Sequence, residues 1–97
     1  MPPVLQRFAR MAHEEKSPFV RLSLASVLQR IPVNRRLTLA EGLASHAEDV
    51  SDPSLPLMIW YGIEAAVPLQ RTEALAFAGR SKIPLVREFI ARRVAEQ

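Results

Sequence analysis

The densest group of chemically capable side chains is the polar cluster formed by His46, Glu48, Asp49 and Asp52. Imidazole nitrogens and carboxylate oxygens are ligands of zinc and of other divalent metals. His46 and Asp49 are three positions apart, so both would lie on one face of a helix. The same residues also fit a helix end, a turn and the N-cap of the next helix, because an aspartate before a proline suits a helix start. We predict this structural role, with no metal ion.

A second candidate site is the stretch that contains Trp60, Tyr61 and Glu64. Buried Trp and Tyr side chains need partners for their polar atoms, and Glu64 follows Trp60 by one helical turn. The surrounding residues 55–63 are apolar on almost every side, which is typical of a helix in the core. We therefore predict core packing here, with no ligand pocket.

The sequence contains no set of residues that is typical of an enzyme. It has no cysteine, which excludes disulfides, thiolate metal sites, a cysteine nucleophile and c-type haem attachment within this chain. It also has no glycine-rich phosphate loop, no Gly-x-Ser-x-Gly and no His-Glu-x-x-His. We predict a chain without catalytic residues and without cofactors.

Composition and charge favour one small folded domain. Of the 97 residues, 48% are hydrophobic and 24% are charged, as in ordinary globular proteins. The net charge is +3, and the arginines stand in short groups with acidic residues between them. A nucleic-acid surface needs a continuous basic stripe, so we expect a mixed, solvated surface. No apolar run is long enough to span a bilayer, and the first residues do not read as a signal peptide.

A short proline phrase occurs three times and opens an apolar, helix-like run each time. The copies are Ser-Pro-Phe-Val-Arg-Leu from residue 17, Asp-Pro-Ser-Leu-Pro-Leu from residue 52 and Lys-Ile-Pro-Leu-Val-Arg from residue 82. Their prolines, Pro18, Pro53 and Pro84, are 35 and 31 residues apart. A period in this range predicts a solenoid of stacked helical hairpins.

The apolar spacing predicts six helices joined by short turns, which make neighbouring helices antiparallel. We expect an all-α fold, a right-handed α-α superhelix of about three hairpins in a single domain. Pro18 and Pro53 are expected at first helical positions, Gly42 at a close approach between helices, and Gly79 at a helix C-terminus. The predicted helices cover 3–15, 17–31, 34–49, 52–67, 70–78 and 84–95, and the repeats cover 2–31, 33–67 and 69–96.

The repeated phrase resembles the HEAT-repeat family, in which the second helix of each pair typically opens with Asp-Pro-x-Val-Arg. The first copy has Ser17 in place of the aspartate, the second has Pro56 in place of the arginine, and the third has Ile83 in place of the aspartate. Three copies in register cover nearly all of the chain. The residues that match are Pro18, Val20, Arg21, Asp52, Pro53, Leu55, Pro84, Val86 and Arg87.

A narrower resemblance covers 46–49, 52–61 and 81–93. These stretches are similar to the HEAT region of large exported planctomycete and verrucomicrobial proteins labelled membrane-bound dehydrogenases or cytochrome-c proteins. The resemblance implies an exported or periplasmic location and a connecting position between a propeller and a haem domain. The redox function and the haem do not carry over, because this chain has no Cys-x-x-Cys-His.

The leading hypothesis is a non-catalytic scaffold, a protein-interaction domain or spacer segment of a larger exported redox protein. Its partners would be other domains of the same chain or a separate protein, with self-association possible through an apolar edge formed by Phe89, Ile90 and Val94 near the C-terminus. The alternative is a HEAT-like nucleic-acid-binding domain, which we rank lower because helical phase scatters the basic residues. The arginines in question are Arg21, Arg35, Arg36, Arg71, Arg87, Arg92 and Arg93.

Overall fold

The computed structural model of the chain describes residues 2–96. Within these residues the regular structure is entirely helical, which confirms the predicted all-α fold. The α-helices are α1 (Pro3–Glu14), α2 (Pro18–Val27), α3 (Val33–Leu43), α4 (Leu55–Ile63), α5 (Ala66–Leu69), α6 (Arg71–Arg80) and α7 (Pro84–Ala95), and two 3-10 turns cover Leu28–Arg30 and Ala47–Asp49.

The helices pack in two rows. In one row α1 packs on α3 and α3 packs on α6, and in the other α2 packs on α4 and α4 packs on α7. The molecule measures 34 × 32 × 19 Å, and its smallest dimension matches two layers of helices, each about 10 Å thick. We call α1 with α2 the first pair, α3 with α4 the second pair, and α6 with α7 the third pair.

The hydrophobic core lies between the two rows, with α4 at its centre. Because α4 contacts α2, α3 and α7, its sequence is apolar on almost every side. Trp60 is buried, and its ring centroid lies 5.4 Å from that of Phe89 in α7. The core position predicted for Trp60 is therefore confirmed. Other fully buried side chains are Leu28, Leu39, Leu43, Leu55, Ile59, Ile63, Ile83 and Ile90.

Helix α2 begins as predicted, with Ser17 as its N-cap and Pro18 as its first residue. Ser17 is the N-cap, and its hydroxyl accepts a hydrogen bond from the backbone N–H of Val20 at 3.3 Å. Pro18 stands at the first helical position, where a missing N–H leaves no bond unmade. The helix passes into a 3-10 turn and stops at Ile31, which is extended because Pro32 follows it.

The third helix is shorter than the predicted range of 34–49. It begins at Val33, directly after Pro32, and ends at Leu43. The hydroxyl of Ser45 donates to a carbonyl of the last helical turn at 2.5 Å. The chain then forms a 3-10 turn that carries Asp49 toward α2.

The proline phrase works differently in its second copy. The carboxylate of Asp52 accepts the backbone N–H groups of Ser54 and Leu55, each at 2.8 Å. Helix α4 itself begins at Leu55, so Pro53 lies in the turn before it, and the prediction that Pro53 stands at the first helical position is wrong. Pro56 occupies the first turn of α4 instead.

The described residues form seven α-helices where the sequence predicts six, because the predicted helix over 52–67 divides into α4 and α5. The chain turns at 64–65 and resumes as α5. Pro68 lies within this short helix, where the first turn has no intrahelical N–H donors to lose.

Two of the three glycines mark places where helices touch. A Cβ on Gly42 would lie 2.6 Å from the backbone nitrogen of His13 in α1, which confirms the predicted close approach. A Cβ on Gly62 would lie 2.7 Å from the Leu28 side chain. Gly79 is different, because it lies inside α6 with open space beside it and without a positive φ. The prediction that Gly79 caps this helix is therefore wrong, and the C-cap is Ser81.

Candidate functional site

The most buried polar contact in the described part of the chain is the ion pair between Arg21 and Asp49, whose side chains are 1% and 3% exposed. The Nε of Arg21 donates to Oδ2 of Asp49 at 2.7 Å, and its Nη2 donates to Oδ1 at 2.6 Å. This two-pronged arrangement is the strongest geometry for an arginine and a carboxylate. The pair joins α2 of the first pair to the turn between α3 and α4 of the second pair.

Arg21 also binds its own pair of helices. Its Nη1 donates to the backbone carbonyl of Glu15 at 2.8 Å, so all three guanidinium nitrogens are engaged. The hydrogen bonds to Asp49 raise the pKa of Arg21 above its ordinary value, against the opposing effect of burial. A guanidinium that is charged, buried and bound on three nitrogens cannot reach an external ligand.

His46 and Glu48 complete this polar junction. The Nε2 of His46 lies 2.8 Å from the carbonyl oxygen of Ala12 at the end of α1, and its Nδ1 lies 3.2 Å from Oε2 of Glu48. The pKa of Glu48 is lowered because its carboxylate accepts hydrogen bonds from its own backbone N–H and from the His46 ring. The Nη2 of Arg21 lies 3.9 Å from the same carboxylate oxygen. The turn is thus fastened to both helices of the first pair.

The predicted polar cluster does not converge on one point. Asp49 faces Arg21, Glu48 faces His46, and Asp52 faces backbone N–H groups before α4. Across residues 2–96, no three or more His, Asp or Glu side chains are placed to hold a metal ion. The structure brings together His46, Glu48, Asp49 and Arg21, and it leaves Asp52 in a separate turn. The junction therefore holds helices together and offers no open ligand position.

Asp52 gives the molecule an acid-sensitive turn. Its pKa is lowered because the N–H groups of Leu55 and Ser54 donate to the carboxylate. A group whose pKa is depressed on folding stabilises the protein above the unfolded-state value and loses that contribution as the pH falls through the folded-state value. The pH range in which Asp52 loses its stabilising contribution therefore lies below 3.8, the ordinary pKa of an aspartate.

We expect Asp52→Ala to unfold at lower urea than the wild type at pH 7, with a difference that shrinks as the pH falls below about 4. Asp52→Asn keeps an acceptor oxygen without the titration, so its deficit should vary less with pH. Urea midpoints at pH 7 and pH 3 test this. A difference between wild type and Asp52→Ala that is unchanged at pH 3 would contradict it.

Tyr61 and Glu64 do not join Trp60 in a pocket. Trp60 is buried against Phe89, whereas Tyr61 is 51% exposed and Glu64 is exposed in the turn that follows α4. The Arg92 guanidinium carbon lies 5.7 Å from the Phe89 ring centroid. The aromatic residues therefore support the contact between α4 and α7.

The third copy of the proline phrase repeats one contact of the first. Arg87 stands three residues after Pro84, as Arg21 stands three residues after Pro18. The Nη1 of Arg87 donates to the carbonyl of Ser81 at 3.2 Å, six residues upstream, as Arg21 does to Glu15. Arg87 is exposed, however, and no Asp or Glu of residues 2–96 lies within ion-pair distance of it. Among the other phrase residues, Val20 is half-buried, and Leu55 and Val86 are buried.

The second and third pairs are joined by different groups. The backbone N–H of Lys82 donates to the carbonyl of Ala44 at 2.8 Å. The Nε of Arg80 donates to the carboxylate of Glu41 at 2.7 Å, between half-exposed side chains. The second copy has no arginine for this junction, because Pro56 stands in its place.

The arginines considered for nucleic-acid binding are spread over four helices, α2, α3, α6 and α7, and several of them are bound within the chain. Arg92 and Arg93 pair with Glu88 and Glu96 on their own helix, and Arg36 donates to backbone carbonyls. Arg21 is buried in the polar junction, and the other members of the set are Arg35 on α3, Arg71 on α6 and Arg87 on α7.

Two open depressions follow the rows. One, of about 350 Å³, lies between α2 and α4 and is lined by serine, leucine and methionine side chains. The other, of about 280 Å³, lies between α3 and α6, where the Arg80–Glu41 pair crosses it. Both are shallow, so they suit a protein surface better than a small ligand.

Comparison of the chain with protein-family models, with curated proteins and with solved structures finds no match. Among the helices of residues 2–96, none combines the length and apolar character needed to cross a membrane.

Proposed function

We propose that the chain is a non-catalytic helical-repeat scaffold that binds protein through stacked helical pairs arranged as an α-α superhelix. The observation that carries this proposal is the order of packing, α1–α3–α6 in one row and α2–α4–α7 in the other. In repeat proteins each unit contacts only its neighbours, and the stack presents extended surfaces for binding. The described residues fit this rule, since α1 and α2 have no substantial contact with α6 or α7.

The internal repetition of contacts supports a HEAT-like character for this scaffold. Arg21 and Arg87 occupy the same place in two copies of the proline phrase and donate to the same backbone position, six residues upstream. We also propose a connecting position within a larger exported redox protein, which rests on the resemblance of residues 46–49, 52–61 and 81–93 alone.

The polar junction supports a structural role for the most perturbed charged groups. Strongly shifted charged groups in a cleft often mark an active site. Here Arg21 is buried between helices with all three guanidinium nitrogens bound, and the carboxylates of Glu48 and Asp52, which are not buried, bind the His46 ring and backbone N–H groups. The exposed side of the molecule carries large apolar residues that are free for partners. They include Phe19 at 78% and Leu75 at 47% exposure.

Photo-cross-linking in cells of the source organism tests the scaffold function. We expect a photoreactive phenylalanine analogue at Phe19, Tyr61 or Leu75 to give adducts that protease removes and nuclease leaves intact. Absence of adducts from all three positions would contradict the proposal.

A nuclease-sensitive adduct would favour the nucleic-acid alternative instead. That alternative predicts salt-dependent binding of the purified chain to duplex DNA, which Arg35→Ala/Arg71→Ala should weaken. If the scaffold function is correct, this double variant and the wild type should not differ in their binding to duplex DNA.

A further inference from the structure

The ring of His46 lies between two oxygen atoms that accept hydrogen bonds and cannot donate them. Its Nε2 is 2.8 Å from the carbonyl oxygen of Ala12 in the last turn of α1, and its Nδ1 is 3.2 Å from a carboxylate oxygen of Glu48. The lowered pKa of Glu48 keeps that carboxylate ionised near neutral pH. A neutral imidazole has one N–H group, whereas an imidazolium has two. Both contacts can therefore be hydrogen bonds only while the ring carries its second proton.

The charged groups around His46 favour a cation at this position. Its own turn carries the carboxylates of Glu48 and Asp49, and α2 contributes Arg21, whose Nη2 is 3.9 Å from the Glu48 oxygen that faces the ring. Glu15, which follows α1, is a third carboxylate close enough to Arg21 to raise its pKa. Without His46 the polar junction thus holds one cation and three carboxylates. The other titratable groups of these segments are His13, Glu14, Lys16 and Asp52.

We propose that His46 is a proton-dependent latch that holds the end of α1 on the second helical pair. With its second proton bound, the ring joins the Ala12 carbonyl to the Glu48 carboxylate. When that proton is lost, one of the two oxygens faces a nitrogen without hydrogen, and the ring, which is 12% exposed, has little access to water. The inference goes beyond the proposed scaffold function and does not depend on it.

The direction of the pH effect follows from the two contacts. Because only the imidazolium makes both, α1 should be held most firmly below about pH 6 and less firmly above about pH 7.5, on either side of the range in which histidines titrate. The carboxylates of the junction stay ionised across this interval. The acid sensitivity of Asp52 lies at much lower pH, so the two effects are separate.

Amide hydrogen exchange of the unmodified chain at pH 5.5 and pH 8 tests the latch. Protection factors correct for the faster chemical exchange at high pH. In the second half of α1 they should be about three- to tenfold lower at pH 8, which is the change in an opening equilibrium when one hydrogen bond is lost. Helix α7 has no substantial contact with α1 and is the internal reference, in which protection should change little.

Two variants assign the effect to one histidine. His46→Gln keeps an N–H donor but does not titrate, so its α1 should have the low protection of the wild type at pH 8 at both pH values. His13→Gln removes the other histidine, whose side chain is exposed, and should leave the pH dependence of α1 unchanged. Nitrogen NMR of the wild-type rings is independent of both variants. It should show that His46 loses its second N–H over the pH range in which α1 opens.

Several results would overturn the proposal. One is protection of α1 that stays constant between pH 5.5 and pH 8, and another is a fall that persists in His46→Gln. A fall that His13→Gln abolishes would assign the effect to that residue instead. A His46 ring with a single N–H at pH 5.5 would also contradict the latch, even if His46→Gln failed to fold. None of these results bears on the cross-linking experiment, so the scaffold function can stand while the latch fails.

Discussion

Replacing Asp49 with alanine should lower the free energy of unfolding by about 3–5 kcal/mol, because it leaves the Arg21 charge buried without its carboxylate. For a domain of this size, about 3 kcal/mol corresponds to a drop of more than about 10 °C in melting temperature. Urea unfolding at pH 7, followed by far-UV circular dichroism, measures the loss. Small domains have only about 5–15 kcal/mol of stability, so this single change removes a large share.

Two further variants separate the buried pair from its surroundings. Glu48→Ala removes the exposed carboxylate 3.9 Å from Arg21 and should change stability little, because exposed ion pairs contribute little. Arg21→Met/Asp49→Leu removes both buried charges and should recover most of the loss, as apolar replacement of buried pairs often does. A loss below about 1 kcal/mol for Asp49→Ala would show that Arg21 regains solvent easily.

The second large loss of stability is expected for Gly42→Ala. Alanine there places a Cβ within 2.6–2.8 Å of His13 and Ala12 atoms, including the backbone of α1. A backbone cannot rotate away as a side chain does, so α1 must move off α3, which costs about 1–3 kcal/mol. Amide hydrogen exchange should show α1 opening first, since α3 is the main helix that α1 packs against.

Gly79 is the matched control for this substitution, because it is the penultimate residue of α6 as Gly42 is of α3. Nothing lies near its missing Cβ, so Gly79→Ala should stabilise the protein by about 0.5–1 kcal/mol through helix propensity alone. Equal effects of the two substitutions in urea titrations would show that the approach of α1 to α3 does not limit stability.

The sequence predicts the helix starts best where the residues next to a start determine its position. α1, α2 and α7 begin at prolines that suit a first helical position, and their starts agree with the prediction. The close approach at Gly42 was also predictable, because glycine inside a helix needs a packing reason. Local rules are less exact at α4. The carboxylate of Asp52 accepts the N–H groups of Ser54 and Leu55, as an N-cap side chain does, but the helix begins only at Leu55.

The candidate site shows the same division between local and long-range information. The sequence identifies His46, Glu48 and Asp49 as a polar group and favours a structural role over a metal site. It does not identify Arg21 as their partner, because the contact spans 28 residues and no local spacing encodes it. The only signal for Arg21 was its place in the proline phrase.

By itself, the sequence determined that this chain is helical and how α1, α2 and α7 begin, because these features depend on neighbouring residues. Only the tertiary structure decided which charges meet. The packing of the second helical pair on the first buries Arg21 against Asp49. The similar Arg87 remains exposed because no described helix packs beside it. An ion pair of this kind depends on which surfaces are removed from water together, and that follows from the packing of helices distant in the sequence.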